Sequence, residues 1–268
     1  MSNLYRDHLE WARRAPDERY QTLAELDEAV WARRQASIEA DVTGKQLEAV
    51  RASVDGQGNL VLGGHRPTHW SFGQMAGLIG APAGYLRDLP HELVVENINH
   101  GLTNRLQQRE SDFKLLVGTN GGSALRAVTS GKYSRIWDHE VVQTVRKHGD
   151  GFVNPPAFKD GKWGAELVPS GLYASDHDMF ALLVNDQDRI DVGGRSLGRG
   201  FMAWNSETGG STFGWMTFLN DYTCSNHIVW GAQEVVNRRV RHVGATARRA
   251  ILEEFPAAIQ ALRKRGGK

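Results

Sequence analysis

Apolar positions recur along this chain with two spacings, and the change from one to the other divides the sequence. Leu4, Leu9 and Trp11 mark a first helical stretch, and Leu23, Leu26, Val30, Trp31 and Ile38 a second, with Pro16 and Asp17 between them. "LEAVRASV" and "NLVLGG" then read as two strands, and the turn "DGQGN" joins them as a hairpin. The stretch "SFGQMAGLIGAPAGYLRDLPHELVVENINHGLTNRL" returns to helical spacing over two or three short helices, with Pro82 and Pro90 where helices begin. From residue 113 the period falls to that of strands. "FKLLVGT" and "SALRAVTS" flank the hairpin signal "NGG". "WDHEVVQTVRKHG" is a helix with Asp138 as its N-cap, Val141, Val142 and Val145 facing inward, and Gly149 and Gly151 at its end.

After an irregular loop, "FVNPPAFKDGKW", the segments "MFALLVND", "GRGFMAWNSE" and "STFGWMTFLND" form a β-meander, with "DQDRIDVGGRSL" and "TGG" as connections. From about Trp230 the chain reads as helical, with a kink or break at Pro256 and an apolar stripe of Ile251, Leu252, Phe255, Ile259 and Leu262. Strands are bunched, and helices flank them rather than alternate with them. The expected fold is therefore α+β: an antiparallel β-meander core flanked by helices, with an N-terminal helical segment and a C-terminal basic helix. Residues 1–44 are expected as a helical arm, suited to packing on a neighbouring subunit, and residues 45–268 as one α+β domain with a helical tail.

Composition narrows the class. The chain has 268 residues, 40% of them hydrophobic, enough for one large or two small domains. No apolar run approaches the roughly 20 residues that span a bilayer. The polar start "MSNLYRDHLEWARRAPDERY" does not suit a signal peptide, and one cysteine fits a reducing compartment, so a cytoplasmic location and no membrane partner are expected. The net charge is only +1, but it is unevenly spread: residues 1–44 carry nine acids and six bases, and residues 235–268 carry nine bases and two acids. Arginine outnumbers lysine by 24 to 8. High-GC coding and phosphate recognition both account for that excess.

Catalytic patterns are weak. Cys224, the only cysteine, stands three residues before His227, a spacing at a strand end that does not join the two side chains as nucleophile and base. "HRPTH" sets His65 and His69 at i, i+4, but Pro67 between them favours a loop over a helical metal site. "SDHD" at 175–178 and "NDQDRID" at 185–191 offer Asp176, Asp178, Asp186, Asp188 and Asp191. A divalent-metal nuclease using Asp176, Asp178 and Asp186 is the sharpest enzymatic alternative. No cofactor is implied. The helix-turn-helix-like stretch "FGQMAGLIGAPAGYLRDL" has Arg87 as its only base, too few for reading DNA.

Basic residues interleaved with aromatics carry more weight. Arg126, Lys132, Tyr133 and Arg135 lie along "RAVTSGKYSR". Arg195 and Arg199 flank the glycine loop "GGRSLGRG" that enters "FMAW", with Phe201 and Trp204. Arg238, Arg239, Arg241, Arg248 and Arg249 fall within "NRRVRHVGATARR". Bases of this kind neutralise phosphates, and neighbouring aromatics stack on unpaired nucleobases. A solvated basic helix face with core aromatics has the same pattern.

"SALRAVTSGKYSRI", "DHEVV", "GRGFMAWNSETGGSTFGWMTFLNDYTCSNHIV" and "RRVRHVG" resemble, in order, blocks of the phage/plasmid-like proteins called domain of unknown function 932. "GAPAGYLRDLPHEL" and the "IN..L" after it resemble that family's helical portion. The resemblance covers roughly residues 70–250 and leaves out the first 44 and last 15. The order hairpin, helix, meander, helix is also similar to single-strand annealing proteins of the Rad52 type. Together these imply a nucleic-acid-binding protein of mobile-element origin that acts on single-stranded DNA, or RNA, in annealing or recombination, as a homo-oligomeric ring or filament. In that reading Arg126, Lys132 and Arg135 contact phosphates, Arg195 and Arg199 sit on a clamp loop, and Arg238, Arg239 and Arg241 line the same groove. Family members commonly have Cys-x-Asn-Gly where this chain has Cys224-Ser225-Asn226-His227, which argues against catalysis by His227. A structural protein of the mobile element with no nucleic-acid ligand is the remaining alternative.

Overall fold

The computed structural model describes residues 11, 13–106, 112–119, 122–158, 166–192, 194–221, 228–229 and 236–264. The fold is α+β, as the pattern predicts, and a helix lies near the C-terminus. Chain contacts gather into two compact units: Ala32–Tyr133 with Thr208–Gly210, and Met1–Trp31 with Ser134–Glu207 and Ser211–Lys268. The division does not fall at residue 44.

Helix α1 (Leu23–Gln35) precedes strand β1 (Ser37–Thr43). Ile38, expected on the helix, is on that strand and 59% exposed. Residues 37–43 are strand because they pair residue for residue with β5 (Asp112–Gly118), a partner that local periodicity does not reveal. Thr43 starts helix α2 (Gly44–Ala49) with a capping box to Gln46, so the first half of "LEAVRASV" is helical. Only β2 (Ala52–Val54) and β3 (Leu60–Leu62) make the expected hairpin. The two-residue strand β4 (Arg66–Pro67) and helices α3 (His69–Ile79), α4 (Ala83–Arg87) and α5 (His91–Leu106) follow. Gly80 ends α3 in the left-handed conformation, at φ 75°. β5 and β6 (Ala124–Ser130) form the hairpin read from "NGG". This unit has a four-stranded sheet in the order β1-β5-β6-β4, and a core in which Leu62, Met75, Leu102 and Leu125 are buried.

In the other unit, α6 (Asp138–His148) buries Val141, Val142 and Val145 as expected. Its N-cap is Trp137 rather than Asp138, because Glu140 reaches back to the Trp137 N–H. Short strands β7 (Phe152–Val153), β8 (Pro156–Phe158), β9 (Leu167–Pro169) and β10 (Leu172–Ala174) lead into the meander. Its long strands are β11 (Met179–Val192), β12 (Arg195–Asn205) and β13 (Phe213–Asp221). The expected connection "DQDRIDVGGRSL" is mostly strand: Val192 pairs with Arg195, and a register shift falls between Asn185 and Ile190.

β14 (Ile228–Val229) and β15 (Asn237–Val240) both pair with β13. The expectation of helix from Trp230 fails here, since Asn237–Val240 add to the edge of β13. The helix starts only at α7 (Gly244–Arg249), passes through a π turn at Ala250–Glu254, and continues as α8 (Phe255–Lys264). Pro256 is accommodated rather than breaking the helix. The wide turn ahead of it lets the Phe255 N–H bond to the Ala250 carbonyl, five residues back.

The meander has two dissimilar faces. Alternation turns Ala181, Leu183, Phe201, Ala203, Phe213 and Trp215 toward α6 and α8. Phe255 lies fully buried there, with ring centroids 5.3 Å from Trp215 and 5.6 Å from Phe213. Of the predicted C-terminal stripe, Ile251, Phe255, Ile259 and Leu262 join this core, and Leu252 is exposed. The opposite face carries Tyr173, Phe180, Leu182, Val184, Met202, Met216 and Phe218, with Trp11 packed among them. Gly200 is required on that face: a Cβ there would lie 2.4 Å from the Phe218 ring.

Candidate nucleic-acid interface

Register on the second face places one residue from each of five strands in a row. Tyr173 pairs with Phe180, Phe180 with Trp204, Trp204 with Gly214, and Gly214 with Arg239. The Tyr173 and Phe180 rings are stacked with centroids 5.4 Å apart. Gly214 is the seat of the Trp204 indole: a Cβ at 214 would stand 2.3 Å from Trp204 Cζ2. The Arg239 guanidinium then lies over the same indole, 5.8 Å from the ring centroid. Around this row opens a cleft of about 220 Å³ lined by Tyr173, Asp178, Met179, Phe180, Met202, Trp204, Ser211 and Arg239. Trp204 is partly exposed and Arg239 exposed, so an aromatic face and a cation share the cleft.

The far end is tied down by charge. Arg14 grips Asp178 with two hydrogen bonds, of 2.9 and 2.7 Å, and its guanidinium also lies 4.2 Å from the Tyr173 ring centroid. Burial works most strongly against the Arg14 cation, but the hydrogen bond to Asp178 and the charges of Tyr173, Asp178 and Glu18 together outweigh it and raise its pKa. "SDHD" forms the turn between β10 and β11. The Ser175 hydroxyl donates to the Asp178 carboxylate, and the Ser175 N–H donates to the Asp178 carbonyl. His177 Nδ1 lies 2.9 Å from Asp176 Oδ1, and that hydrogen bond raises the His177 pKa against its partial burial. The acids of this turn thus serve the hairpin and Arg14. Among the described residues no group of three His, Cys, Asp or Glu is placed to hold a metal ion.

The basic residues read from the sequence separate. Arg126, Lys132 and Tyr133 belong to the four-stranded unit. Arg126 is buried, its Nη1 donating to the Ser37 hydroxyl at 2.9 Å, so it does not present itself to a phosphate. Lys132 is exposed and Tyr133 partly so. In the meander unit, Arg135 is buried beside the Trp137 ring. Arg199 is buried too, since the segment expected as a clamp loop is strand β12 and position 199 faces the helices. Arg195 is exposed at the start of that strand. Arg238, Arg239 and Arg241 do not line one groove. On β15, Arg238 shares the helix-facing side with Val240 and donates to Glu254 at 2.9 Å, while Arg239 faces the aromatic row. Arg241 is exposed just beyond the strand.

Tyr173 and Phe180 are among the residues of the cleft that sequence reading misses. Their only local signal is the aromatic content of "LYASDHDMF", because the unbroken apolar run of β11 hides which face is open. Cys224, Asn226 and His227 lie outside the described residues.

Beneath the start of α6 sits a buried polar cluster. The Asn205 amide donates to the Ile136 carbonyl at 2.8 Å and to Asp138 Oδ1 at 2.7 Å. Its oxygen therefore faces His242 Nε2, 2.9 Å away, and that nitrogen carries the proton. Glu207 accepts from the Asp138 N–H at 3.1 Å. Burial, and the nearby Arg135 cation, push the His242 pKa down to about 4.

Among the described residues no helix is long and apolar enough to cross a membrane. In comparisons with known proteins, no family model matches the chain, and neither a curated protein nor a solved structure does.

Proposed function

We propose that this chain binds single-stranded nucleic acid, taking an unpaired base against Trp204 while Arg239 and Arg241 meet the adjoining phosphates. The observation that carries the reading is the juxtaposition of Trp204 and Arg239 over Gly214, inside a cleft on a sheet face rich in aromatic and methionine side chains. An indole platform is indifferent to base identity, since every base has a π face. It favours single strands, because a duplex keeps those faces covered by its own stacking. A guanidinium beside the indole stacks and also pairs with a phosphate. Single-stranded DNA is the proposed ligand, with RNA offering the same chemistry. The resemblance of the sequence blocks to phage/plasmid-like proteins adds the context of annealing or recombination, and a homo-oligomer, as part of the proposal.

The test is fluorescence anisotropy of labelled oligonucleotides at about 50 mM salt, where phosphate contacts are weakly screened. The expected result is binding of a single strand in preference to the same sequence as a duplex, weakening as salt rises. No binding to single strands under these conditions overturns the reading and leaves a protein with no nucleic-acid ligand.

A further inference from the structure

The "HRPTH" stretch at 65–69 and the segment Arg87–His91 meet in the four-stranded unit. Arg66 on β4, His69 at the start of α3, Arg87 at the end of α4 and His91 at the start of α5 line one cleft of about 320 Å³. Its floor is apolar, with Phe72 and Leu86 buried. No acidic side chain is among the lining residues. We infer that this cleft binds a small organic phosphate, with the phosphate on the Arg66–Arg87 rim and an apolar body on the Phe72 floor.

Three features support this. First, both guanidinium groups are anchored yet keep donors in reserve. Arg87 Nη2 donates to the His69 carbonyl at 2.9 Å, and its guanidinium lies 5.1 Å from the Phe72 ring centroid. Arg66 Nε and Nη2 are bound by Asp55, and Nη2 also by Gln57 at 2.7 Å. Arg66 Nη1 and Arg87 Nε and Nη1 make no hydrogen bond among the described residues. Second, His91 Nδ1 lies 2.7 Å from the Gly58 carbonyl, which only accepts, so Nδ1 carries the proton and Nε2 is an acceptor, suited to the P–OH of a singly ionised phosphate monoester. Third, rim and floor together match an anion with an apolar body better than inorganic phosphate, which leaves the floor bare, or a neutral hydrocarbon, which leaves the rim unused. A phosphate monoester has three free oxygens for these donors where a carboxylate has two.

The test is isothermal titration of the full chain with phenyl phosphate, inorganic phosphate and benzoate. Phenyl phosphate should bind about tenfold or more tightly than either of the others. Arg87→Gln and Arg66→Gln should each weaken it about tenfold, the scale of one lost charge-assisted hydrogen bond. Both variants are checked for unchanged circular dichroism and unfolding midpoint. Arg239→Gln, in the other unit, should leave phenyl phosphate binding as it is, which separates this site from the proposed base-binding cleft. Absence of binding at millimolar phenyl phosphate, affinity equal to that of inorganic phosphate, or wild-type affinity in both folded arginine variants overturns the inference.

Discussion

Acidification should unlock the polar cluster beneath α6 through His242. This ring is buried, donates from Nε2 to Asn205, and sits near the Arg135 cation. A second proton must go to Nδ1, creating a buried charge, so the folded protein resists it. The unfolded chain, with the ordinary value of 6.5, binds that proton readily, whereas the folded protein does so only at about 4. A depressed folded-state pKa gives stability that is fully present above about pH 6.5 and is lost as pH falls toward 4. At about 1.4 kcal/mol for each pH unit, the loss across that window is roughly 3 kcal/mol.

Other groups act differently. His177, with its raised pKa, contributes stability at low pH that is lost as pH rises through its folded value, the opposite sign. Asp55, held down at about 2 chiefly by backbone hydrogen bonding from Asn59, contributes stability above about pH 3.8 that is lost below it. Glu254, lowered by its hydrogen bond from Arg238, likewise loses its contribution only as pH falls below the ordinary carboxylate value of 4.5. The assay is urea unfolding at half-unit steps from about pH 7 to 4.5, for wild type and His242→Gln. Glutamine can donate to the Asn205 oxygen but cannot take up a proton, so the variant should lose about 1 kcal/mol near pH 7 and show a much flatter slope. An equal slope in both proteins would refute the assignment.

Two further substitutions test the two faces of the meander. Phe255→Ala removes a fully buried ring packed against Phe201, Phe213 and Trp215, and should cost about 3–5 kcal/mol in chemical denaturation; a loss under 1 kcal/mol would contradict the packing. Gly214→Ala puts a methyl group where the Trp204 indole lies, and should cost about 1–3 kcal/mol and weaken oligonucleotide binding together; unchanged stability would show that the indole is not seated there.

The parts of the fold legible in the sequence are those whose signal is local. Helix α6 announces itself through Val141, Val142 and Val145, and the meander through long apolar runs closed by glycine turns. What escapes depends on partners far away in the chain. "NRRV" has no strand signature of its own and becomes β15 because β13 offers it an edge. Ile38 fits a helical spacing from Val30 and Trp31, yet pairs with Val117. The site was partly visible for the same reason. Phe201 and Trp204, three residues apart in "FMAW", land on opposite faces because the strand period is two, and an apolar run does not say which face is covered. Arginine count was a poor guide: Arg126, Arg135 and Arg199 are buried, and exposure of Arg239 is set by its place on β15.

The central claim, that Trp204 and Arg239 form a base-and-phosphate site, is met most directly by the affinity of a single-stranded oligonucleotide for wild type, Trp204→Ala and Arg239→Gln across a range of salt. Trp204→Ala should lose about 1–3 kcal/mol of binding with the salt dependence unchanged, as expected for a stacking contact. Arg239→Gln should weaken binding and lower the salt slope by about one phosphate contact. Wild-type affinity in both folded variants would contradict the claim.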